Sequence, residues 1–149
     1  MTGQDAGGEA LEAQLERAIS AAMLHLRRHS PFFATLCLFA RLRPTDSIPT
    51  AATDGKDIFY NPTWLSTLLP TPARLRGLLI HEVLHAALLH VQRRGGREPL
   101  RWNIAADVVV NGMIDAEKAR AIVPWTMTPK QNDPRLQMCY VWSGTENAL

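Results

Sequence analysis

Residues 78–91 read Leu78-Leu79-Ile80-His81-Glu82-Val83-Leu84-His85-Ala86-Ala87-Leu88-Leu89-His90-Val91. Three histidines and one glutamate interrupt an otherwise apolar run. The run lies in a segment that begins with Thr71-Pro72 and ends at Gly95-Gly96. A capping hydroxyl followed by proline at the first helical position starts a helix, and glycine ends one. The pattern predicts a helix from Pro72 to about Arg94. A helix that is apolar around most of its circumference is buried. Burying His81, Glu82 and His85 without partners is costly, so these side chains need a reason to be there.

Helical geometry supplies one. At about 100° per residue, His81 and His85 stand roughly 40° apart, one turn along the same face. Both imidazoles can reach one ion. Glu82, one residue on, can lean over the same site without taking a ligand position. This is the HExxH pattern: two Zn²⁺ ligands and a carboxylate beside the water that zinc acidifies. Glu82 is then the general base that takes a proton from that water and later returns it to the leaving amine. The plainer reading, a satisfied structural histidine pair, fits an exposed amphipathic helix better than this apolar one.

A catalytic zinc usually takes three protein ligands and leaves one position open. On a continuous helix His90 lies about 180° from His81 and about 140° from His85. It is therefore expected to cap the far side of the helix or meet solvent. The third histidine of the metzincin pattern would fall one residue later, after a glycine missing here. A better candidate lies on the next expected helix, Trp102 to Arg120, interrupted by Gly112. There Asn103, Asp107 and Asn111 recur at i, i+4 and i+8 and form one polar stripe in an apolar stretch. A buried Asp needs a cation or several donors. Asp107 would complete a His-His-Asp set, with Asn103 and Asn111 holding its carboxylate from behind. The plainer roles are a helix N-cap for Asn103 and helix-end polarity for Asn111.

Outside this region the chain divides simply. Residues 1–8 are expected to be disordered and residues 9–149 to form a single domain. From Glu9, Leu11, Leu15, Ile19, Met23 and Leu26 fall at helical spacing, and the pattern stops before Pro31. Pro31 to Ala40 reads as a buried strand that continues towards Arg43. Ser47 to Thr53 is a second strand. Asp54-Gly55 is a hairpin turn, and Asp57 to Tyr60 is the returning strand. Asn61-Pro62 opens a short helical turn. With Pro124, Pro129 and Pro134, residues 124–149 read as an extended tail. The fold class is therefore α+β: a small, mostly antiparallel sheet packed with helices, the HExxH helix among them.

Composition excludes several classes. The 149 residues are 46% hydrophobic and 20% charged, a globular balance. No apolar run approaches the roughly 20 residues of a membrane span. Met1 to Ala10 has neither a basic nor an apolar region of a signal peptide, so a cytoplasmic location is expected. Cys37 lies in an apolar run and reads as a core thiol; with Cys139 far away, nothing demands a disulfide. Net charge is only +2, which argues against a general nucleic-acid coat. Thirteen of the sixteen basic residues are Arg. Arg93, Arg94, Arg97 and Arg101 surround the loop between the two site helices, as a solvated helix end or as a contact surface for a peptide carboxylate, an acidic partner or nucleic acid.

Five blocks carry a family resemblance: Ser47 to Lys56, Tyr60-Asn61-Pro62, His81 to His90, Arg93 to Arg97, and Trp102 to Asp107. In this order they resemble the zincin-like metallopeptidase domain of bacterial proteins that also carry a von Willebrand factor A-like domain. That family tends to be encoded beside MoxR-type AAA+ ATPases. The resemblance covers about residues 31–129. It implies a minimal zincin-like fold, His81 and His85 as zinc ligands and Glu82 as the catalytic carboxylate, and it supports Asp107 as third ligand. It also implies a peptide or protein substrate and, as partner, a von Willebrand A-like protein or a MoxR-type ATPase. No von Willebrand A-like domain follows in these 149 residues, so the chain is either a short member or a fragment. The expected function is zinc-dependent peptide-bond hydrolysis, with a peptide adding as a strand beside Asp57 to Tyr60 and Tyr60 stabilising the oxyanion. The rival is a non-catalytic, zinc-stabilised docking module, marked by a fourth ligand such as His90 or Cys139.

Overall fold

The computed structural model describes residues 3–119 and 139–141. Six helices and four short strands follow in order: α1 (Gly3–His29), α2 (Pro31–Leu38), β1 (Leu42–Pro44), β2 (Ala51–Thr53), β3 (Ile58–Tyr60), α3 (Pro62–Ser66), α4 (Pro72–Ala87), α5 (His90–Arg94), α6 (Pro99–Ala119) and β4 (Cys139–Val141). The α+β class holds. Helix α4 is the central element and packs against α1, α2, α5, α6 and β2. Its Leu75, Leu78, Leu79, Ile80, Val83 and Leu84 are buried among Leu15 and Leu26 of α1 and Phe33 of α2. Each such side chain withdrawn from water stabilises the fold by about 1.5–3 kcal/mol.

Several expectations are corrected. Helix α1 begins at Gly3 and not at Glu9, because extending an existing helix costs far less than nucleating one. Residues 31–38 form a helix and not a strand. Phe33, Ala34 and Cys37 are the buried residues, a spacing of one and three that follows a helix and not a pleat. Pro31 stands at the first helical position, where its fixed φ favours helix, and the Thr35 hydroxyl donates to the Pro31 carbonyl one turn back. A short apolar run carries no periodicity strong enough to separate the two readings. Burial pushes the Cys37 thiol up to about 12. The extended tail expected over residues 124–149 lies outside the described residues except for β4. Among the described residues no helix is long and apolar enough to cross a membrane.

The sheet is mixed, in the order β1-β3-β2-β4. Only β2 and β3 pair antiparallel, with Ala51 opposite Tyr60 and Thr53 opposite Ile58. Strand β1 joins β3 in parallel, and β4 joins β2 in parallel. The antiparallel pair follows from the turn at residues 54–57. There Gly55 takes φ 92°, and Asp54 Oδ1 accepts the Lys56 and Asp57 amides. The parallel β1 pairing follows from Asp57. This buried carboxylate accepts Arg43 Nε at 2.7 Å and the Arg41 amide at 3.4 Å, tying β1 to the outer edge of β3. Burial alone would raise the Asp57 carboxyl, but the Arg43 and Arg41 bonds outweigh it and hold it below the usual carboxylate range. Strand β3 is consequently interior, paired on both sides. It has no free edge to receive a peptide strand, contrary to expectation. Nothing local to residues 57–60 reports this, because the partner that covers them lies sixteen residues earlier, Leu42 opposite Ile58 and Pro44 opposite Tyr60.

The other large correction concerns the HExxH helix. Pro72 opens α4 as expected, although the Thr71 hydroxyl makes no capping bond. The helix does not run to Arg94. It ends at Ala87, and Leu89 takes the left-handed conformation, φ 56° and ψ 37°, before α5 begins at His90. Helix α6 then returns along α4 and passes through Gly112 without a break.

Candidate metal centre

Helix α4 alone sets two groups. His81 and His85 are one turn apart, both 1% exposed, and their Nε2 atoms lie 2.9 Å from each other. Glu82, fully buried, stands between them in sequence. The third group arrives from α6. Asp107 Oδ1 lies 3.0 Å from His85 Nε2 and 3.3 Å from His81 Nε2. Helix α6 delivers it because it runs antiparallel to α4 in a fixed register: Asn111 meets His81 and Asp107 meets His85, while Trp102 meets His90 of α5. The polar stripe of Asn103, Asp107 and Asn111 therefore lies on the inward side of α6, with Asn103 itself buried. Asn103 sits past the first turn of α6, which opens at Pro99, so it is no N-cap.

Two ring nitrogens and a carboxylate oxygen converging this closely repel one another unless a metal ion or a proton lies between them. Asp107 Oδ1 is buried without a well-aligned hydrogen-bond donor among the described residues, although both imidazoles are within ion-pair distance. Zinc bonds of about 2.0–2.2 Å at tetrahedral angles separate ligand atoms by about 3.3–3.5 Å. The observed 2.9–3.3 Å needs only a small opening to match. His81, His85 and Asp107 thus fit a metal ion, and among the described residues they form a group that could hold one. Two imidazoles and one carboxylate suit zinc.

The outer nitrogens are also held. His81 Nδ1 lies 2.9 Å from Asn111 Oδ1, an acceptor, so that nitrogen carries the proton and Nε2 is left with its lone pair. Asn111 therefore holds an imidazole and not the Asp107 carboxylate for which its spacing suggested it. His85 Nδ1 lies 2.9 Å from His90 Nδ1. His90 is 5% exposed, so neither a far-side cap nor a solvent contact describes it. The expectation failed because it assumed a continuous helix. The only signal available in sequence was a third histidine in an apolar run, which is costly to bury alone.

Tyr60 takes a different place. It is a buried core residue on β3, and the acidic groups acting on its phenol are Glu12 and Glu16 of α1. Burial, with those charges, raises its pKa. That setting supports a packing role. The Arg cluster serves helix ends: Arg93 donates to the Leu88 carbonyl, Arg97 to the Arg93 and Arg94 carbonyls, and the Arg97 guanidinium lies 4.9 Å from the Trp102 ring centroid.

Electrostatics follow from this packing. Burial alone would lower the His81 imidazole, but the Asp107 carboxylate, Glu82 and Asn111 outweigh it and raise it above 6.5. Burial drives His85 the other way, down to about 4, with His81 adding to the effect against the pull of Asp107. Burial would raise Asp107, but the two imidazoles hold it below the usual carboxylate range. Without metal the His81 imidazole therefore holds its second proton to higher pH than a free imidazole does. A metal must displace that proton, because a ligating nitrogen needs its lone pair. Metal uptake is expected to release that proton, so affinity should rise with pH, by up to about tenfold per unit, until His81 loses its proton unaided. Calorimetry in buffers of different ionisation enthalpy checks this; a heat of binding that ignores the buffer contradicts it.

A family model described as "Putative metallopeptidase domain" matches residues 14–135. No curated protein and no solved structure matches the chain.

Proposed function

The chain belongs to the putative metallopeptidase domain family, and on that premise we propose that it is a zinc-dependent peptidase in which His81, His85 and Asp107 hold the metal and Glu82 is the general base. The observation that carries the proposal is the convergence of three ligand atoms from α4 and α6 beside a fully buried glutamate. When bound there, zinc supplies a Lewis acid for the scissile carbonyl and acidifies water at neutral pH.

The chain's own residues supply the rest. Asn111 keeps the proton of His81 on the outer nitrogen. Asp107 brings a negative charge that offsets the cation in a buried site. Glu82, one residue past the first ligand, takes the proton of the attacking water and returns it to the leaving amine. The apolar residues of α4 keep the surroundings dry, which strengthens each of these interactions.

The docking-module alternative calls for a closed site with four protein ligands. Among the described residues the group stops at three. His90 engages the outer nitrogen of His85, on the opposite side of the ring from Nε2. Three ligands favour a site with a place for substrate. A peptide or protein is the proposed substrate, and a von Willebrand A-like protein or a MoxR-type ATPase is the proposed partner in a cytoplasmic setting. Purified protein is expected to carry one zinc per chain and to cleave an unfolded protein such as casein. Chelation should stop cleavage, and added zinc should restore it. Cleavage that survives removal of all metal would sink the proposal.

A further inference from the structure

We infer that His90 is a positioning residue for the metal centre: its Nδ1 accepts a hydrogen bond from His85 Nδ1–H and so holds His85 Nε2 as the lone-pair nitrogen facing Asp107 and His81. The inference rests on the reading of His85 as a metal ligand.

The contact is built by a break in the backbone between α4 and α5. On a continuous helix, residues five apart diverge by about 140° and their side chains do not meet. His85 and His90 meet, both buried, with nitrogens 2.9 Å apart, because α4 ends at Ala87 and the chain turns back at Leu89. Leu89 is the one non-glycine residue at positive φ among the described residues, at 56°. A side chain there is strained, because Cβ crowds the following carbonyl oxygen. Leu89 is 52% exposed, so packing of its own side chain does not hold the strain. Such outliers persist where the surrounding structure over-determines them, and they cluster at functional sites.

The surroundings hold His90 from several sides. Trp102 Nε1 of α6 donates to the His90 carbonyl at 2.8 Å, and the two rings meet edge to face at 6.1 Å. Arg97 lies over the same indole and closes the end of α5 through the Arg93 and Arg94 carbonyls. On the other flank, the Gln92 amide packs so tightly on the Gly55 turn that a Cβ there would lie 2.7 Å from Gln92 Nε2. Thus α5 is fixed against the β2–β3 turn and α6, and the fixed residue is the one touching a ligand imidazole. The result is a matched pair. Asn111 ties the outer nitrogen of His81, and His90 ties that of His85. A ligand histidine held through its other nitrogen keeps the right tautomer and ring orientation, and losing such a partner typically weakens metal binding 10–100-fold.

The test compares wild type, His90→Ala and His90→Gln, each checked for folding by circular dichroism. Zinc affinity is measured by competition with a chromophoric chelator, and imidazole tautomers by ¹⁵N NMR on metal-free and zinc-loaded protein. His90→Ala should weaken zinc binding about 10–100-fold. His90→Gln, whose carbonyl can accept the same proton, should recover most of that loss. His85 should carry its proton on Nδ1 in wild type before and after zinc. Unchanged affinity in folded His90→Ala, no recovery in His90→Gln, or a His85 proton on Nε2 in zinc-free wild type would each overturn the inference. Wild-type protein that takes up no zinc would instead overturn the metal reading, and the tautomer alone would then decide whether His90 orients His85.

Discussion

Glu82→Gln is expected to bind zinc as tightly as wild type and to cleave peptide about 10²–10⁴-fold more slowly, the usual contribution of a general base. Glu82 lies between the two ligand histidines in sequence but about 100° from His81 around α4, so it is not placed to be a ligand itself. Gln keeps the size and the hydrogen-bonding oxygen and removes only the ability to take a proton. It is also the gentlest change for a fully buried position, because it leaves no cavity and no uncompensated charge. Zinc content and kcat measured on the same preparation separate the two roles. Wild-type cleavage by zinc-loaded Glu82→Gln would remove Glu82 from the chemistry. Lost zinc would make Glu82 part of the binding site.

Asp107→Ala is expected to have the largest effect on the metal. The substitution leaves two imidazoles on α4 and nothing from α6 in the ligand set. Zinc affinity should fall by more than the roughly 10–100-fold that accompanies loss of an outer partner, because a direct ligand is gone. His81 should also lose the carboxylate that most raises its pKa, so its proton should come off at lower pH. Asp115→Ala, farther along α6 with a side chain 64% exposed, is the comparison and should bind zinc normally. The chelator competition decides. Wild-type affinity in Asp107→Ala would take Asp107 out of the ligand set, and the convergence of α4 and α6 would then mark only a buried ion pair.

The elements that were legible and those that were not differ in physical kind. His81, Glu82 and His85 need only helical geometry over five residues, and any helix through them brings both imidazoles to one face. The Asn103-Asp107-Asn111 stripe is legible for the same reason, though the stripe does not say which histidine each residue meets. Asn111 reaches His81 instead of supporting Asp107 because of the register in which α6 crosses α4, a long-range property. Residues 31–38 do not separate strand from helix in sequence, because a short stretch that is apolar but for Thr35 satisfies either period. Their choice of helix depends on the faces that α1 and α4 offer.

The sequence by itself determined the chemistry of the centre. It places two imidazoles and a carboxylate on one turn of a buried helix, a second carboxylate on the next helix, and a turn at Asp54-Gly55, all within windows of a few residues. Tertiary structure decided the rest. The packing of α6 on α4 brings Asp107 to within 3.0 Å of His85. The buried Asp57 draws β1 onto β3 and closes the edge that a peptide was expected to use. The left-handed Leu89 folds His90 back onto His85. Each outcome depends on contacts between residues distant in the chain, or on a strained conformation that such contacts hold in place. Local periodicity, which averages over neighbours and assumes that a helix continues, carries no information about either.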